Sequence, residues 1–259
     1  MKKALLVGIN DYPGTSNDLM GCVNDVNDVR DLLTASCGFK LADVTLLTDR
    51  DATCANLVEA LAALVREARA GDHLVFHFSG HGSQVPDSSG DEPDALDEIL
   101  CPYDLDWQDK VIRDDDLNRI FAPVPPGALV EVLLDSCHSG TGLRDVVGSY
   151  RKPRFLPAPV EILPRGSSAH RVRPMKRPAR CVLWTACRAD QYAADALISN
   201  RYGGAFTTYF CRLVGQLGTS LTRRDLLGAL RKELKGMHFN QVPQLEASRK
   251  LKRAELFAA

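Results

Sequence analysis

The sequence predicts an α/β fold: a mostly parallel, six-stranded sheet with helices on both faces. Three observations predict it. Short apolar segments alternate along the chain with longer ones whose apolar residues recur at helical spacing, the pattern of strand–crossover–strand units. Two of the short segments, His73 to Phe78 and Leu129 to Leu134, are nearly continuous apolar runs, as strands covered on both faces require. Both runs end abruptly in small and reactive residues, where parallel sheets place their ligand crevice.

The elements follow in order. Lys3 to Ile9 is an apolar strand closed by the turn Asn10-Asp11-Tyr12-Pro13-Gly14. Gly21 to Val26 opens a helix whose apolar face is Val26, Val29, Leu32 and Leu33, with Cys37-Gly38 ending it. Val44 to Leu47 is the second strand. Thr53 caps a helix from about Cys54 to Ala68, with Leu57, Val58, Leu61, Leu64 and Val65 at helical spacing. After the strand at His73 comes a polar loop, Gln84 to Asp97, and a short extended piece, Ile99 to Cys101. Asp114, Asp115 and Asp116 place acids in the first turn of a helix through Ile120, which suits its dipole. The Pro-rich turn from Pro123 to Gly127 leads into the strand that ends before Cys137. Val182 to Thr185 is a strand, Gly203 to Leu217 a helix, Thr222 the cap of Arg223 to Lys235, and Val242 to Leu245 the last strand.

Between these parts the composition changes. Gly148 to Arg180 holds nine Lys or Arg against one acid, with six prolines, and reads as an extended, solvated linker or insertion and not as an element. It divides residues 1–147 from a smaller part, 181–259, that belongs to the same sheet. Few aromatics interleave its charges, so it is not read as a nucleic-acid surface. The formal net charge of −1 gives no push toward nucleic acid or anionic membrane, and no apolar run approaches a membrane span of about 20 residues. A cytoplasmic protein is expected. Eight cysteines without a CxxC pair indicate buried thiols, not a disulfide scaffold or a zinc site.

The chemistry lies where the two runs end. One delivers Ser79-Gly80-His81-Gly82-Ser83 and the other Asp135-Ser136-Cys137-His138-Ser139-Gly140. If the strands are neighbours, a thiol and an imidazole emerge at one sheet edge, the pairing that makes a thiolate nucleophile. The flanking glycines let the backbone turn sharply and bare its N–H groups, as an oxyanion hole needs. His138 is the alternative base, but its side chain alternates away from that of Cys137. The other histidines (73, 77, 170 and 238) read as structural or exposed.

Those two stretches resemble the catalytic signature pair of the metacaspases, caspase-fold cysteine peptidases. Ala4 to Asn10 with Gly21 to Asp25, Asp97 to Leu100, Ile112 to Leu117, and Thr185-Ala186-Cys187 with Gln191 and Gly204 to Thr207 are similar to the same family. The resemblance implies a caspase-like three-layer sandwich and an endopeptidase of protein or peptide substrates. Cys137 would be the nucleophile and His81 the acid and base. The amides of Gly82 and Cys137 would form the oxyanion hole, with no third triad member expected. It further implies cleavage after Arg or Lys through an acidic pocket of Asp25 and Asp135, with Cys22 and Ser79 on its wall, and carboxylates are the partners a guanidinium fork wants. It implies a possible calcium activator on Asp97, Asp114 and Asp115, with no cofactor required for the chemistry. The family's fourth ligand falls near Leu143-Arg144-Asp145, where a cation would weaken the site. It implies a monomer. An enzyme with that preference would find its nearest substrate in its own basic linker, so self-cleavage is expected between Arg151 and Arg180. The alternative is a non-proteolytic caspase-fold module that binds or regulates; the presence of both Cys137 and His81 argues against it.

Overall fold

A computed structural model of the 259-residue chain describes residues 1–87, 90, 95–137, 150–163 and 181–257. In chain order the first part holds β1 (Lys2–Gly8), α1 (Cys22–Ser36), β2 (Val44–Thr48), α2 (Cys54–Arg66), β3 (His73–Ser79), β4 (Gly82–Pro86), β5 (Leu96–Leu100), β6 (Ile112–Arg113), α3 (Asp114–Phe121) and β7 (Leu129–Asp135). Then come β8 (Arg151–Pro153), β9 (Cys181–Thr185), β10 (Ala194–Ile198), β11 (Arg201–Gly204), α4 (Ala205–Leu217), α5 (Arg223–Gly236), β12 (Gln244–Glu246) and α6 (Arg249–Arg253).

The central sheet has the order β12-β9-β7-β3-β1-β2, parallel except for β12, which runs antiparallel to β9. Two hydrophobic clusters flank it, and successive residues of a strand serve opposite ones. Ala4 and Leu6 join the cluster under α1, α4 and α5, while Leu5 and Val7 join the one under α2 and α3. The expected three-layer α/β architecture is therefore present. Thr53 and Thr222 cap α2 and α5, accepting the amides of Asn56 (3.3 Å) and Asp225 (3.2 Å). Among the described residues no helix is long and apolar enough to cross a membrane.

Glu131, the one acid in the apolar run of β7, is wholly buried. It takes Arg223 in a fork (Nε 3.0 Å, Nη2 2.8 Å), accepts from Trp184 Nε1 at 2.9 Å, and lies 3.3 Å from His73 Nε2. One buried network thus ties β3, β7 and β9 to α5. Burial raises the Glu131 pKa, but the His73 and Arg223 contacts outweigh it and hold the carboxyl at about 2.

The fold departs from the sequence reading in several places, among them the unexpected β6 and α6. The polar stretch from Gln84 to Asp97 is strand at both ends, because Val85 and Leu96 are buried and β4 pairs antiparallel with β5. A hairpin, β10–β11, lies where no element was expected; Ser199 and Asn200 turn it at positive φ (50° and 65°). The last strand is Gln244–Glu246, starting two residues later and ending one residue later than expected. Most consequentially, the basic segment is not uniformly solvated linker. β8 pairs antiparallel with β10 (Ala194 opposite Pro153, Ala196 opposite Arg151), and Arg154 is wholly buried.

Candidate active site

β3 and β7 are neighbouring parallel strands with Ser79 opposite Asp135. Two residues beyond that pair in each strand stand His81 and Cys137, both buried. The backbone holding His81 is itself anchored: its amide donates to Tyr12 Oη at 2.9 Å, and that hydroxyl donates to the Cys101 carbonyl at 3.1 Å. His81 Nε2 lies 2.7 Å from the Asn17 carbonyl. A carbonyl only accepts, so Nε2 carries the hydrogen and Nδ1 keeps its lone pair. Nδ1 is buried with no hydrogen-bond partner among the described residues. Burial pulls the His81 pKa down to about 4, against the Asn17 hydrogen bond, so the imidazole is neutral at neutral pH. The Cys137 sulfur accepts the Ala193 amide at 2.7 Å.

The amides of Gly82 and Cys137 both donate to one atom, the carbonyl oxygen of Arg154, each at 3.1 Å. Two convergent donors on a single oxygen is the geometry of an oxyanion hole. The occupying carbonyl belongs to the chain's own basic segment. That segment runs through the cleft as an extended peptide. Its Arg154 amide donates to Ala193 O (3.0 Å), and its Leu156 amide to Gly82 O (3.0 Å). Ser83 Oγ donates to Leu156 O at 2.5 Å, and the Phe155 ring lies 5.9 Å from that of Tyr192. Strand pairing on one side and a clamp on the other is how extended peptides are bound.

The Arg154 side chain fills an acidic pocket. Nη2 reaches Asp25 at 2.7 Å and Asp195 at 2.9 Å; Nη1 reaches Ser79 Oγ at 2.6 Å and Asp135 at 3.3 Å. The carboxylates are held in turn. Asp25 accepts from Ser79 Oγ (2.7 Å) and Gly204 N (2.9 Å). Asp135 accepts from Thr207 N (3.0 Å) and Oγ1 (2.7 Å), and Asp195 from Met20 N (2.8 Å) and Gly21 N (3.0 Å). Cys22 is buried beside them, its thiol pushed well up by burial despite Arg154. Burial also raises Asp25 to about 6, even with the guanidinium beside it. The pocket's far wall needs glycine: a Cβ at Gly204 would stand 2.5 Å from Arg154 Nη1.

Residues 2–146 match the metacaspase, peptidase C14 domain family. The chain is a metacaspase-family protein. Metacaspase-1 of Cryptococcus neoformans is 34% identical to it over 95% of this chain and 62% of its own length. Metacaspase-1 of Meyerozyma guilliermondii is 33% identical over 95% of this chain and 69% of its own. The chain therefore spans about two thirds of the length of these curated relatives. Among solved structures, a Geobacter sulfurreducens protein aligns with a TM-score of 0.74 at 24% identity, over 100% of this chain and 98% of that one. Caspase-1 of Spodoptera frugiperda aligns with a TM-score of 0.65 at 16% identity, over 99% and 89%. At those identities the likeness speaks to the fold alone, which is caspase-like.

Within this metacaspase chain the geometry gathers Asp25, Asp135, Ser79 and Cys22 around one guanidinium, and aims the amides of Gly82 and Cys137 at one carbonyl. It adds participants that sequence reading missed. Asp195 is a third pocket acid, supplied by the unexpected hairpin. The Asn17 carbonyl orients His81, although no third member beside Cys137 and His81 was expected. Arg154 was one of nine basic residues in its segment, with no signal to single it out. Cys187 stands beside Cys137, and that thiol together with burial pushes its own well up. The calcium candidates are arranged differently. Asp97 Oδ2 takes Arg113 Nε at 3.1 Å, Asp114 and Asp115 begin α3, and no three potential ligands are gathered among the described residues. His138, Gly140, Arg144, Asp145 and the linker from 164 to 180 lie outside the described residues.

Proposed function

We propose that this metacaspase is a cysteine endopeptidase that cuts after Arg or Lys, and that the first bond it cuts is its own Arg154–Phe155 peptide. One observation carries the reading. Arg154 presents its side chain to three carboxylates while its carbonyl oxygen receives both amides of Gly82 and Cys137. A buried arginine could be structural, and a carbonyl bonded to two amides could be a turn; the two in one residue beside a cysteine describe a bound substrate.

The mechanism follows from the positions. The Cys137 thiol gives its proton to His81 Nδ1, the only ring nitrogen with a lone pair available once Nε2 donates to Asn17. The thiolate attacks the Arg154 carbonyl carbon, and the negative charge that develops on oxygen falls between the Gly82 and Cys137 amides. His81 Nδ1 then delivers the proton to the Phe155 nitrogen as the C–N bond breaks, leaving an acyl-enzyme on Cys137. Water, deprotonated by the same imidazole, releases it. Once cut, the new carboxyl-terminal Arg154 is free to withdraw and a second peptide with a basic residue can enter. Lys would reach the same acids as a point charge without the fork, so Arg is the better substrate. No step runs through a metal ion.

The test is incubation of the wild-type chain and Cys137→Ala, with fragments mapped by mass spectrometry. A new amino terminus at Phe155, absent from the variant, is the expected result. The processed enzyme should then hydrolyse peptides ending in Arg, less rapidly Lys, and not Asp. Running that assay with calcium and with chelator reads activation through Asp97, Asp114 and Asp115. An intact wild-type chain together with silence on every peptide would overturn the reading and favour a binding module.

A further inference from the structure

Cys137 has a second thiol at its side, and the peptidase mechanism makes no use of it. β7 and β9 are parallel neighbours with Leu134 opposite Thr185, and the Ala186 amide continues the ladder to the Leu134 carbonyl at 2.9 Å. Just past those strand ends stand Cys137 and Cys187, both buried and both in the hydrophobic cluster under α1, α4 and α5. One loop, residues 187–193, clasps the two sulfurs. The Cys187 thiol donates to the Gln191 carbonyl at 3.3 Å, and the Ala193 amide donates to the Cys137 sulfur at 2.7 Å. The two side chains are also hydrogen-bonded to each other. Neighbouring strands lie about 4.8 Å apart, inside the roughly 4.4–6.8 Å that a disulfide spans between Cα atoms. A bond between these sulfurs therefore asks for side-chain rotation and no shift of the sheet.

On the reading that Cys137 is the nucleophile, we infer that Cys187 is its resolving thiol: a hydroperoxide that enters the cleft after the Arg154 segment withdraws converts the pair to a Cys137–Cys187 disulfide, which silences the enzyme reversibly. In the uncut chain Cys137 is wholly buried and the Arg154 carbonyl occupies the amide beside it, so the precursor is shielded. The step balances. His81 Nδ1 takes the Cys137 proton, and the thiolate attacks one peroxide oxygen. The O–O bond breaks, hydroxide leaves and recovers that proton as water, and Cys137 becomes a sulfenic acid. The Cys187 sulfur then attacks the Cys137 sulfur, and its S–H proton departs with the displaced hydroxide as a second water. Two thiols lose two electrons and one peroxide gains them.

Cys187 is suited to second place. Its hydrogen bond to Cys137, with burial and the charge of a Cys137 thiolate, pushes its own thiol well up, so it stays protonated while Cys137 reacts. A sulfenic acid is neutral, and turning Cys137 into one removes that charge. Cys187 thus gains acidity at the moment its neighbour becomes an electrophile. Without a partner thiol, a sulfenic acid in excess peroxide proceeds to the sulfinic acid, and a thiol reductant does not reverse that. The bond also spans the cut. Cys137 precedes the Arg154–Phe155 peptide and Cys187 follows it, so oxidation joins the two pieces of a processed chain covalently.

The test treats the self-processed wild-type enzyme and Cys187→Ala with hydrogen peroxide and then alkylates the remaining thiols. On a denaturing gel without reductant, oxidised wild type should run as one band of full-chain size and split in two when dithiothreitol is added. Cys187→Ala should run as two bands throughout. Peptide mapping of wild type should find residues 137 and 187 joined, two hydrogens lighter than the two thiol peptides together. Dithiothreitol should return most of the wild-type activity and about tenfold less of the variant's, each against its own untreated control. Cys137 found as a sulfinic acid with Cys187 alkylated, or Cys137 joined to a different cysteine, would overturn the inference. The mapping needs no catalysis. A 137–187 bond in a chain that cuts neither itself nor any peptide would therefore uphold the pairing while removing the reading of the cleft.

Discussion

Removing the Arg154 side chain should unsettle the folded protein as well as block its cleavage. The variant is Arg154→Ala in a Cys137→Ala background, so that no self-cleavage complicates the comparison. In the parent the guanidinium is wholly buried against Asp25 (2.7 Å), Asp195 (2.9 Å) and Asp135 (3.3 Å). Truncation leaves three buried acids without their cation. Deleting one partner of a buried pair costs about 3–5 kcal/mol, because the other is left charged and desolvated. Two reliefs push toward the lower end. Asp25, already raised to about 6, can take up a proton, and water can enter the emptied pocket. A cost of about 3 kcal/mol corresponds to a fall in Tm of about 6–12 °C for a chain of this size. The assay is thermal unfolding at pH 7.5 and again at pH 5, where protonated Asp25 should narrow the gap. Adding agmatine, which carries a guanidinium on an alkyl stem, should restore part of the loss by mass action. Identical melting of the two proteins at pH 7.5, with no response to agmatine, would refute the account of the pocket as a cation site.

Three other outcomes can be checked. Asp195→Asn should lower kcat/KM on Arg peptides about tenfold, the usual worth of one charged hydrogen bond, with little change in folding stability. Self-cleavage should slow in two stages as pH falls: near 6, as Asp25 protonates and loses its pairing with Arg154, and near 4, as His81 takes a proton and ceases to be a base. A single step in the pH profile of the first-order rate would contradict that assignment. Glu131→Ala should lower stability by about 3 kcal/mol, since the buried Arg223 then keeps its carbonyl acceptor Glu255 O (2.8 Å) but loses the carboxylate that balances its charge. Because the folded Glu131 pKa is depressed to about 2 from about 4.5, its contribution is present above pH 4.5 and fades as pH drops through 2, so urea midpoints of wild type and variant should converge in acid.

How much of this was legible in the sequence depended on what kind of signal each part leaves. The sheet was legible because β3 and β7 are runs of apolar residues, and burial on both faces demands that. His81 and Cys137 were legible because reactive side chains next to glycine at the end of such a run are rare without a use. Asp25 and Asp135 could be named by resemblance, yet Asp25 alone would pass for an ordinary acid at the start of a helix. The rest left weaker marks. The Asn17 carbonyl is backbone, and every residue has one. Asp195 needs the β10–β11 hairpin, whose Ser199-Asn200 turn lacks the glycine that usually announces it. Arg154 was hidden by composition: a stretch rich in Lys, Arg and Pro reads as solvated linker, and only tertiary structure distinguishes the one arginine at the acids.

The order of strands in the sheet has a consequence for the molecule after it is cut. β7 lies before Arg154 in the chain and β9 after it, yet they are adjacent and parallel, and β12 follows β9 at the edge. Cutting between Arg154 and Phe155 therefore severs the covalent thread without dividing the sheet, and the two pieces stay woven through one core. What changes is the route back. The intact chain refolds as one molecule, whereas the cut one, once melted, must find its other half by collision. Refolding then becomes second order and dilution-sensitive, so a cut at that bond, if made as proposed, would leave a kinetic record in the molecule.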